Sequence, residues 1–270
     1  MIEDHDGELT LSPTEVDHLA ARLFDDERAC RMGRPLSDEY PSMTLSDAYA
    51  IQVAYIRRRV SSGARVCGHK VGCTNPVVQQ LFNIHQPDYG QLLDDMVLPD
   101  SAEIRFSGLI QPRIEPEIGF VLKKALRGPR VTPTEVLLAT EGVVPCFEII
   151  DSRIENWRIQ FVDTVADNGS SARCVLGDRV TPVGGLDLRL VGVVLEKNGE
   201  VAATGAGAAA LGHPAAAVAW LANTLASRGA FLDAGHLVLP GALTTAIPAK
   251  PGDFFEASFA GLGSVRCKFS

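Results

Sequence analysis

The hydrophobic pattern is helical in the first quarter of the chain and mostly strand-like afterwards. The segments with apolar residues at helical spacing are 12–29, 42–63, 132–142 and 213–229. The first opens with a capping box between Ser12 and Glu15, and Gly63 ends the second. Residues 1–65 are therefore predicted to form a small helical N-terminal region, with two further helices later in the chain.

From residue 66 onward the pattern changes to short apolar runs separated by Gly, Pro, Asn and Asp. The candidate strands are VCGHKVG, LIQPRIEPEIGFVL, VVPCFEIID, RLVGVVLEKNGEVAAT, HLVLPGALT and FFEASFAGLGSVRCKF. Asn198-Gly199 between two of these runs predicts a β-hairpin. Strands and helices do not alternate regularly, which argues against a doubly wound sheet or a (β/α)8 barrel. We expect an α+β fold with a mixed, β-rich body over 66–270.

Composition and charge narrow the possible functions. The chain has 270 residues with 46% apolar and 21% charged content, and its net charge of −8 argues against nucleic acid or an anionic membrane as a partner. No apolar run reaches the roughly 18 to 20 residues of a membrane-spanning helix, and the acidic start MIEDHDGELT does not resemble a targeting signal. We therefore expect a cytoplasmic protein. The six cysteines form no CxxC pair and no zinc-type spacing, so they are expected to be reduced and mostly buried.

Two glutamates stand within one predicted strand, QPRIEPEIGF. Side chains two residues apart leave a strand on the same side, so Glu115 and Glu117 should point together at one face. A solvated pair on an edge strand would also fit this pattern. Glu148, in the equally apolar VVPCFEIID, changes the balance, because three carboxylates in strand interiors repel each other unless a cation lies among them. Oxygen ligands favour Mg²⁺ or Mn²⁺. Asp151 should face the other way, and it either bonds Arg153 or the backbone or takes part in catalysis.

Lys70 is a second candidate for chemistry. It lies in GHKVG between Gly68 and Gly72, and flanking glycines allow a ligand or another backbone to approach closely. A snorkelling surface lysine is the alternative. His69 should face the opposite side and be structural. Asp88, in HQPDYG, is expected in a turn after a proline.

Two glycine-containing segments complete the candidates. DTVADNGSSARCVLG is polar and is predicted to be a loop, with substrate contact as one possible role. GAGAAALG lacks the context and spacing of a phosphate-binding loop, so we interpret it as a site of tight backbone packing.

Six segments in series resemble the 2-keto-4-pentenoate hydratase family, within the fumarylacetoacetate hydrolase superfamily. They are GHKVGCTN, HQPDYGQLLDDM, QPRIEPEIGFVLKK, PCFEIIDSRIENW, DTVADNGSS and GAGAAALGHPAAAVAWLANTL. The resemblance extends from about Leu45 to the C-terminus without large gaps, which is far more specific than a single motif. It implies a β-rich body, a divalent metal, Mg²⁺ or Mn²⁺, and a homo-oligomer that associates with a decarboxylase or aldolase of the same pathway.

The resemblance also assigns roles to individual residues. The family's ExE…E metal motif falls on Glu115, Glu117 and Glu148, its active-site lysine on Lys70 and its turn aspartate on Asp88. Two positions depart from the common pattern. At the position of Gly169, family members commonly have Ala or Ser. At the position of Cys73, many have Leu.

The implied reaction is the hydration of 2-hydroxypenta-2,4-dienoate, a small anionic substrate, in bacterial meta-cleavage of aromatic compounds. Protonation at C5 gives a 3-en-2-one, and water then adds at C4 to give 4-hydroxy-2-oxopentanoate. Chelation of the carboxylate and 2-oxygen would stabilise the developing charge, and the proton transfers need an acid and a base. Lys70 and Asp88 are the candidates, with their roles not divided between them.

Three other functions remain open at this point. The resemblance extends to a sister activity, 2-oxo-3-hexenedioate (4-oxalocrotonate) decarboxylase, and to a hydratase of the diacid 2-oxohept-4-ene-1,7-dioate. HQPDYG and PCFEIIDSRIENW resemble the five-carbon hydratases more closely. The diacid would need a second cation, and the sequence does not show which arginine supplies it. A non-catalytic subunit that stabilises a decarboxylase would have no need of Lys70 and the three glutamates.

Overall fold

A computed structural model describes residues 9–76, 79–80 and 84–270. The helices that frame the molecule are α1 (Pro13–Arg28), α2 (Leu36–Glu39), α3 (Leu45–Ser61), α4 (Pro133–Ala139), α5 (Phe161–Ala166) and α6 (Pro214–Ser227). The strands are β1 (Val66–Gly72), β2 (Asp88–Leu93), β3 (Val97–Pro99), β4 (Ala102–Ile104), β5 (Arg113–Leu122), β6 (Thr140–Ile150), β7 (Ser171–Leu176), β8 (Gly192–Lys197), β9 (Glu200–Ala206), β10 (Leu237–Leu239), β11 (Ile247–Pro248), β12 (Phe254–Phe259) and β13 (Gly263–Phe269).

The strands form two sheets. The larger sheet has the order β2-β1-β10-β5-β6-β7-β3, with β11 also pairing with β5, and the smaller has the order β4-β13-β12-β8-β9. The pairs β1–β10 and β3–β7 are parallel, whereas β5–β6 and β1–β2 are antiparallel. The predicted α+β class with a mixed, β-rich body and a helical N-terminal region is therefore confirmed.

The N-terminal helices follow the sequence pattern closely. Ser12 and Glu15 form the predicted capping box at the start of α1, and Thr44 and Asp47 form another at the start of α3. Residues on both sides of position 65 share one buried apolar cluster, for example Ile51 and Ile114. The division into two domains at residue 65 stays a prediction.

Close backbone packing explains GAGAAALG, as predicted. A Cβ atom on Gly205 would lie 2.0 Å from the Leu243 carbonyl oxygen, and one on Gly207 would lie 1.8 Å from that of Leu188. The Asn198-Gly199 hairpin is also present, joining β8 and β9 with both residues at positive φ. All six cysteines are unpaired, and three of them are fully buried.

Several boundaries differ from the prediction. α4 ends at Ala139 because Thr140–Gly142 pair with β5, and the strand predicted in HLVLPGALT shortens to the three residues of β10. Part of the predicted loop DTVADNGSS is the helix α5. Its polarity misled the prediction, because the Asp163 carboxylate is buried and accepts hydrogen bonds from the Ser37 amide and hydroxyl.

Within the described ranges, no helix has the length and apolar content that crossing a bilayer requires.

Candidate active site

Three glutamates meet on one face of the larger sheet. Glu115 of β5 lies directly opposite Glu148 of β6, and Glu117 lies two residues further along β5, so all three side chains leave the sheet on the same side. One oxygen from each carboxylate lies within 4.8 Å of the other two. Glu117 and Glu148 are fully buried and Glu115 is half-buried. The three residues predicted from the sequence therefore form one cluster.

The three carboxylates resist ionisation in the absence of a cation. Burial, with the Glu148 charge second, raises the pKa of Glu115 to about 7. Burial and the two neighbouring carboxylates raise the pKa of Glu117 well above its ordinary value. Burial also raises the pKa of Glu148, although the Lys70 ammonium opposes that rise. Such a cluster is stable as three anions only with added positive charge.

The oxygen atoms of the cluster fit a hard divalent cation. Glu117 Oε1 and Glu148 Oε1 are buried and have no hydrogen-bond partner among the described residues. The other oxygen of Glu117 accepts a 2.7 Å hydrogen bond from the Gly241 amide, which fixes the orientation of the carboxylate. Buried polar atoms without partners are costly, and oxygen-only donor sets are those that Mg²⁺ and Mn²⁺ prefer.

Lys70 approaches the same cluster from β1, which is separated from β5 by β10. Its Nζ lies 3.7 Å from Glu148 Oε2, and the residue is only 4% exposed, which excludes a snorkelling surface lysine. Burial alone would lower the pKa of the Lys70 ammonium, but Glu148 and Asp88, with smaller contributions from the other glutamates, raise it above its ordinary value. The lysine is therefore held in its charged form.

The sequence predicted Asp88 in a turn, and this prediction is wrong. Asp88 is the first residue of β2. It pairs with Gly72 of β1. The carboxylate is buried, and its Oδ1 has no hydrogen-bond partner among the described residues. A Cβ on Gly72 would lie 2.1 Å from Asp88 Oδ1 and 3.0 Å from Lys70 Nζ. The glycine thus leaves room for both reactive groups to approach each other.

The segment after α5 forms one wall of the site. Asn168 exchanges two hydrogen bonds with the Gln91 backbone in β2, at 2.8 and 2.9 Å. Gly169 follows with φ +61°, and a Cβ there would lie 2.8 Å from both Cε and Nζ of Lys70. Glycine at this position lets the backbone lie against the lysine side chain.

Two residues near the candidates make structural contacts, which is the role expected for His69 and one of the two left open for Asp151. His69 is buried on the opposite face of β1, its ring centroid lies 5.8 Å from that of His236, and burial followed by the His236 charge lowers its pKa to about 3. The Asp151 carboxylate accepts hydrogen bonds from the backbone amides of Ile110 and Gln111 at 2.8 and 2.6 Å. It therefore anchors the chain that leads into β5.

Arg113 is a site-facing residue that the sequence analysis missed. It is the first residue of β5 and, two positions before Glu115, lies on the same face as the glutamates. Its guanidinium carbon lies 4.4 Å from the centre of the Trp157 ring. The two-residue spacing that places Glu115 and Glu117 on one strand face also places Arg113 there. Extending the pattern two residues toward the N-terminus would have identified it.

Known proteins resemble this chain over almost all of its length. The family model described as "Fumarylacetoacetate (FAA) hydrolase C-terminal" matches residues 71–270. A 2-hydroxyhexa-2,4-dienoate hydratase from Comamonas testosteroni is 47% identical, covering 92% of this chain and 95% of its own. A 2-keto-4-pentenoate hydratase from Paraburkholderia xenovorans is 48% identical, covering 96% of each chain. The structure of 4-oxalocrotonate decarboxylase from Pseudomonas putida G7, complexed with magnesium and adipate, superposes with a TM-score of 0.95 at 40% identity, covering 97% of this chain and 100% of that one.

Proposed function

Because this chain belongs to the fumarylacetoacetate hydrolase family, we propose that it is a metal-dependent hydratase, a hydro-lyase that converts 2-hydroxypenta-2,4-dienoate into 4-hydroxy-2-oxopentanoate. The observation that carries this proposal is the convergence of Glu115, Glu117 and Glu148 with Lys70 and Asp88 on one sheet face. The two hydratases described above, at 47% and 48% identity, support the type of reaction. Their names differ in the length of the dienoate, so the side chain of the substrate belongs to the proposal.

Glu115, Glu117 and Glu148 would hold the divalent cation, Mg²⁺ or Mn²⁺. When bound, such an ion supplies positive charge for the carboxylate and the 2-oxygen of the substrate, where negative charge develops during the reaction. Glu117 is held in place by the Gly241 amide, and Glu148 is held near Lys70. The protein thus fixes the position of the reacting carbon chain relative to its proton-transfer groups.

Lys70 is the proton donor in this proposal and Asp88 the base. The surrounding carboxylates keep the lysine protonated. It delivers a proton to C5 and then takes up the proton that the 2-hydroxyl loses, a net tautomerisation to the 3-en-2-one. Asp88 Oδ1 has no hydrogen-bond partner among the described residues and can accept a proton from water. The water oxygen then bonds to C4, and the electron pair of the C3–C4 double bond shifts toward the 2-oxygen. The proton that Asp88 took from water is delivered to C3, and the 2-oxo group forms again.

A second candidate is the decarboxylation of 2-oxo-3-hexenedioate. The superposition on a 4-oxalocrotonate decarboxylase at a TM-score of 0.95 favours it, because the same cluster can stabilise the same type of enolate. Its 40% identity, below the 47% and 48% of the hydratases, ranks it second. The diacid 2-oxohept-4-ene-1,7-dioate is a third possible substrate.

Product identification separates these candidates. Purified protein with Mg²⁺ is offered each of the three substrates, and the products are identified by NMR and by CO₂ detection. We expect 4-hydroxy-2-oxopentanoate from the five-carbon dienoate as the fastest reaction. Faster CO₂ release from 2-oxo-3-hexenedioate would show that the protein is a decarboxylase. Faster hydration of the seven-carbon diacid would show that this diacid is the preferred substrate.

We also propose that the protein acts in the cytoplasm as a homo-oligomer, in association with a decarboxylase or aldolase of the same aromatic meta-cleavage pathway. Six unpaired cysteines are consistent with a reducing compartment. Size-exclusion chromatography with light scattering tests the assembly, for which a monomeric mass of 28.9 kDa would be the contradicting result.

A further inference from the structure

Arg113 places a second positive charge beside the glutamate cluster. The residue is half-buried at the outer end of β5, on the face that carries Glu115 and Glu117. No described residue accepts a hydrogen bond or forms a salt bridge with its guanidinium. Its five N–H donors are therefore open to a ligand.

An aromatic side chain fixes the position of this guanidinium. The Trp157 ring lies 4.4 Å from the guanidinium carbon, and its Nε1 donates a 3.1 Å hydrogen bond to the Gln111 carbonyl. Asn156 and Trp157 both adopt positive φ, +55° and +56°. This conformation is unfavourable for tryptophan, and such strain concentrates at functional sites. The loop thus holds a flat aromatic surface against the guanidinium, whose donors lie in one plane.

The charge of the site calls for a second cation. Asp88, Glu115, Glu117 and Glu148 bring four negative charges when ionised, against one positive charge from Lys70. A divalent cation leaves one negative charge, and an anionic substrate would then meet net repulsion. Arg113 brings the total to zero before the substrate enters, and its planar donors match a carboxylate.

We propose that Arg113 binds the C1 carboxylate of the substrate and so sets the direction in which the substrate lies, with its hydrocarbon end toward Lys70 and Asp88. This assignment rests on the proposed function. One end of the site is charged and the other is apolar, as this orientation of the substrate requires. Arg113 lies at the outer end, whereas the inner end is bordered by the buried apolar side chains Leu239, paired with Lys70, and Cys146, paired with Glu117. A substrate with one carboxylate and a short apolar tail fits this polarity.

Ligand binding tests the assignment without requiring turnover. The Kd values of 2-oxopentanoate, a monoacid, and 2-oxoadipate, a diacid with the same 2-oxo acid head, are measured by calorimetry in saturating Mg²⁺. For Arg113→Gln we expect both to weaken by about 10- to 100-fold, the usual effect of losing a charge-assisted, two-point hydrogen bond. Arg113→Lys keeps the charge but not the planar donors, so its Kd values should lie between those of Arg113→Gln and the wild type. Arg158→Gln is the matched control, since Arg158 follows Trp157 in the chain but pairs with Asp38 and Glu155.

The outcomes separate this assignment from the proposed function. Unchanged Kd values in Arg113→Gln would overturn it, and so would a loss confined to 2-oxoadipate, because the arginine would then bind the far end of a diacid. If Arg113→Gln does not fold, the Arg113→Lys values decide in the same way. If Arg113→Gln binds both ligands more weakly than the wild type but the wild type hydrates no dienoate, the proposed function is refuted and the binding role of Arg113 is supported.

Discussion

Glu117 shows most clearly why the site needs a cation. It is completely buried, its carboxylate is oriented by the Gly241 amide, and its pKa is raised by burial and by two like charges. Glutamine keeps the acceptor for that amide but removes the negative charge. Glu117→Gln should therefore raise the melting temperature of the EDTA-treated protein and abolish most of the further rise that Mg²⁺ produces in the wild type.

Differential scanning fluorimetry with and without Mg²⁺ measures both effects. Glu141→Gln is the matched control, because Glu141 is an exposed glutamate on the same strand as Glu148 and should leave the Mg²⁺ response unchanged. A wild-type Mg²⁺ shift in Glu117→Gln would contradict the metal site. No Mg²⁺ shift in the wild type itself would favour the non-catalytic subunit considered above.

Lys70 should be required for the reaction and not for the fold. Lys70→Met keeps most of the buried volume but removes the proposed acid, so we expect kcat to fall by at least about 100-fold. The melting temperature in Mg²⁺ should change by no more than about 4 °C. Lys124→Ala, at an exposed position, serves as the control. Near-wild-type kcat in a folded Lys70→Met protein would remove the lysine from the mechanism.

The residues of the site differ in how far the sequence could reveal them. Glu115 and Glu117 followed from the two-residue period of a strand, which is a local property. Their distance from Lys70 depends on β10, which comes from much later in the chain and lies between β1 and β5. No spacing in the sequence contains that information, so only the family resemblance grouped Lys70 with the glutamates.

At the scale of elements, β1 and β2 bring the two reactive side chains together over Gly72. A Cβ there would lie 2.1 Å from Asp88 Oδ1, so Gly72→Ala should displace the carboxylate and lower kcat by about 10-fold or more. Gly192→Ala is the control, because Gly192 is also in a strand and its nearest contact to a new Cβ is at 4.0 Å. Steady-state kinetics of both variants make the comparison, and equal kcat values would contradict the proposed role of Gly72.

Elements with strong local signals were predicted well. α1 and α3 have capping residues and regular apolar spacing, and both lie where the pattern indicated. α5 was missed because its polar residues are satisfied inside the protein, with Gln52 Nε2 donating to the Val165 carbonyl and Asp163 accepting from Ser37. Composition cannot distinguish such internal hydrogen bonding from exposure to solvent.

For the whole molecule, the sequence predicted the fold class but not the order of strands. The lack of regular alternation between strands and helices was enough to predict a mixed α+β fold. The order β2-β1-β10-β5 depends on long-range pairing, for which the three-residue β10 gives almost no local signal. The family resemblance supplied what the local pattern lacked, and the match over residues 71–270 confirms it.

The electrostatic strain of the site should appear in the stability of the whole metal-free protein. The pKa of Glu115, about 7 in the folded state against an ordinary 4.5, means that between these pH values the folded protein retains a proton that the unfolded chain has lost. This group therefore lowers the free energy of unfolding as the pH rises, by about 2 kcal/mol between pH 5 and 7.

Comparison with Glu115→Gln removes this proton together with the effect of the Glu115 charge on the pKa of Glu117. The lowered pKa of buried His69 acts in the opposite direction and is common to both proteins. Urea unfolding of both EDTA-treated proteins should show the variant gaining stability over the wild type as the pH rises. Saturating Mg²⁺ should abolish this gain. A difference between the two proteins that does not change with pH would show that Glu115 is not under this strain.

The origin of the C4 hydroxyl group tests the central claim most directly. 2-Hydroxypenta-2,4-dienoate is incubated with the protein in H₂¹⁸O, and the label at C4 of the product is followed by the ¹⁸O-induced shift of its ¹³C resonance. With Mg²⁺ we expect 4-hydroxy-2-oxopentanoate that carries ¹⁸O at C4, and in EDTA we expect almost no product. Labelled product at the same rate in EDTA, or no C4-hydroxylated product in Mg²⁺, would contradict a metal-dependent hydratase.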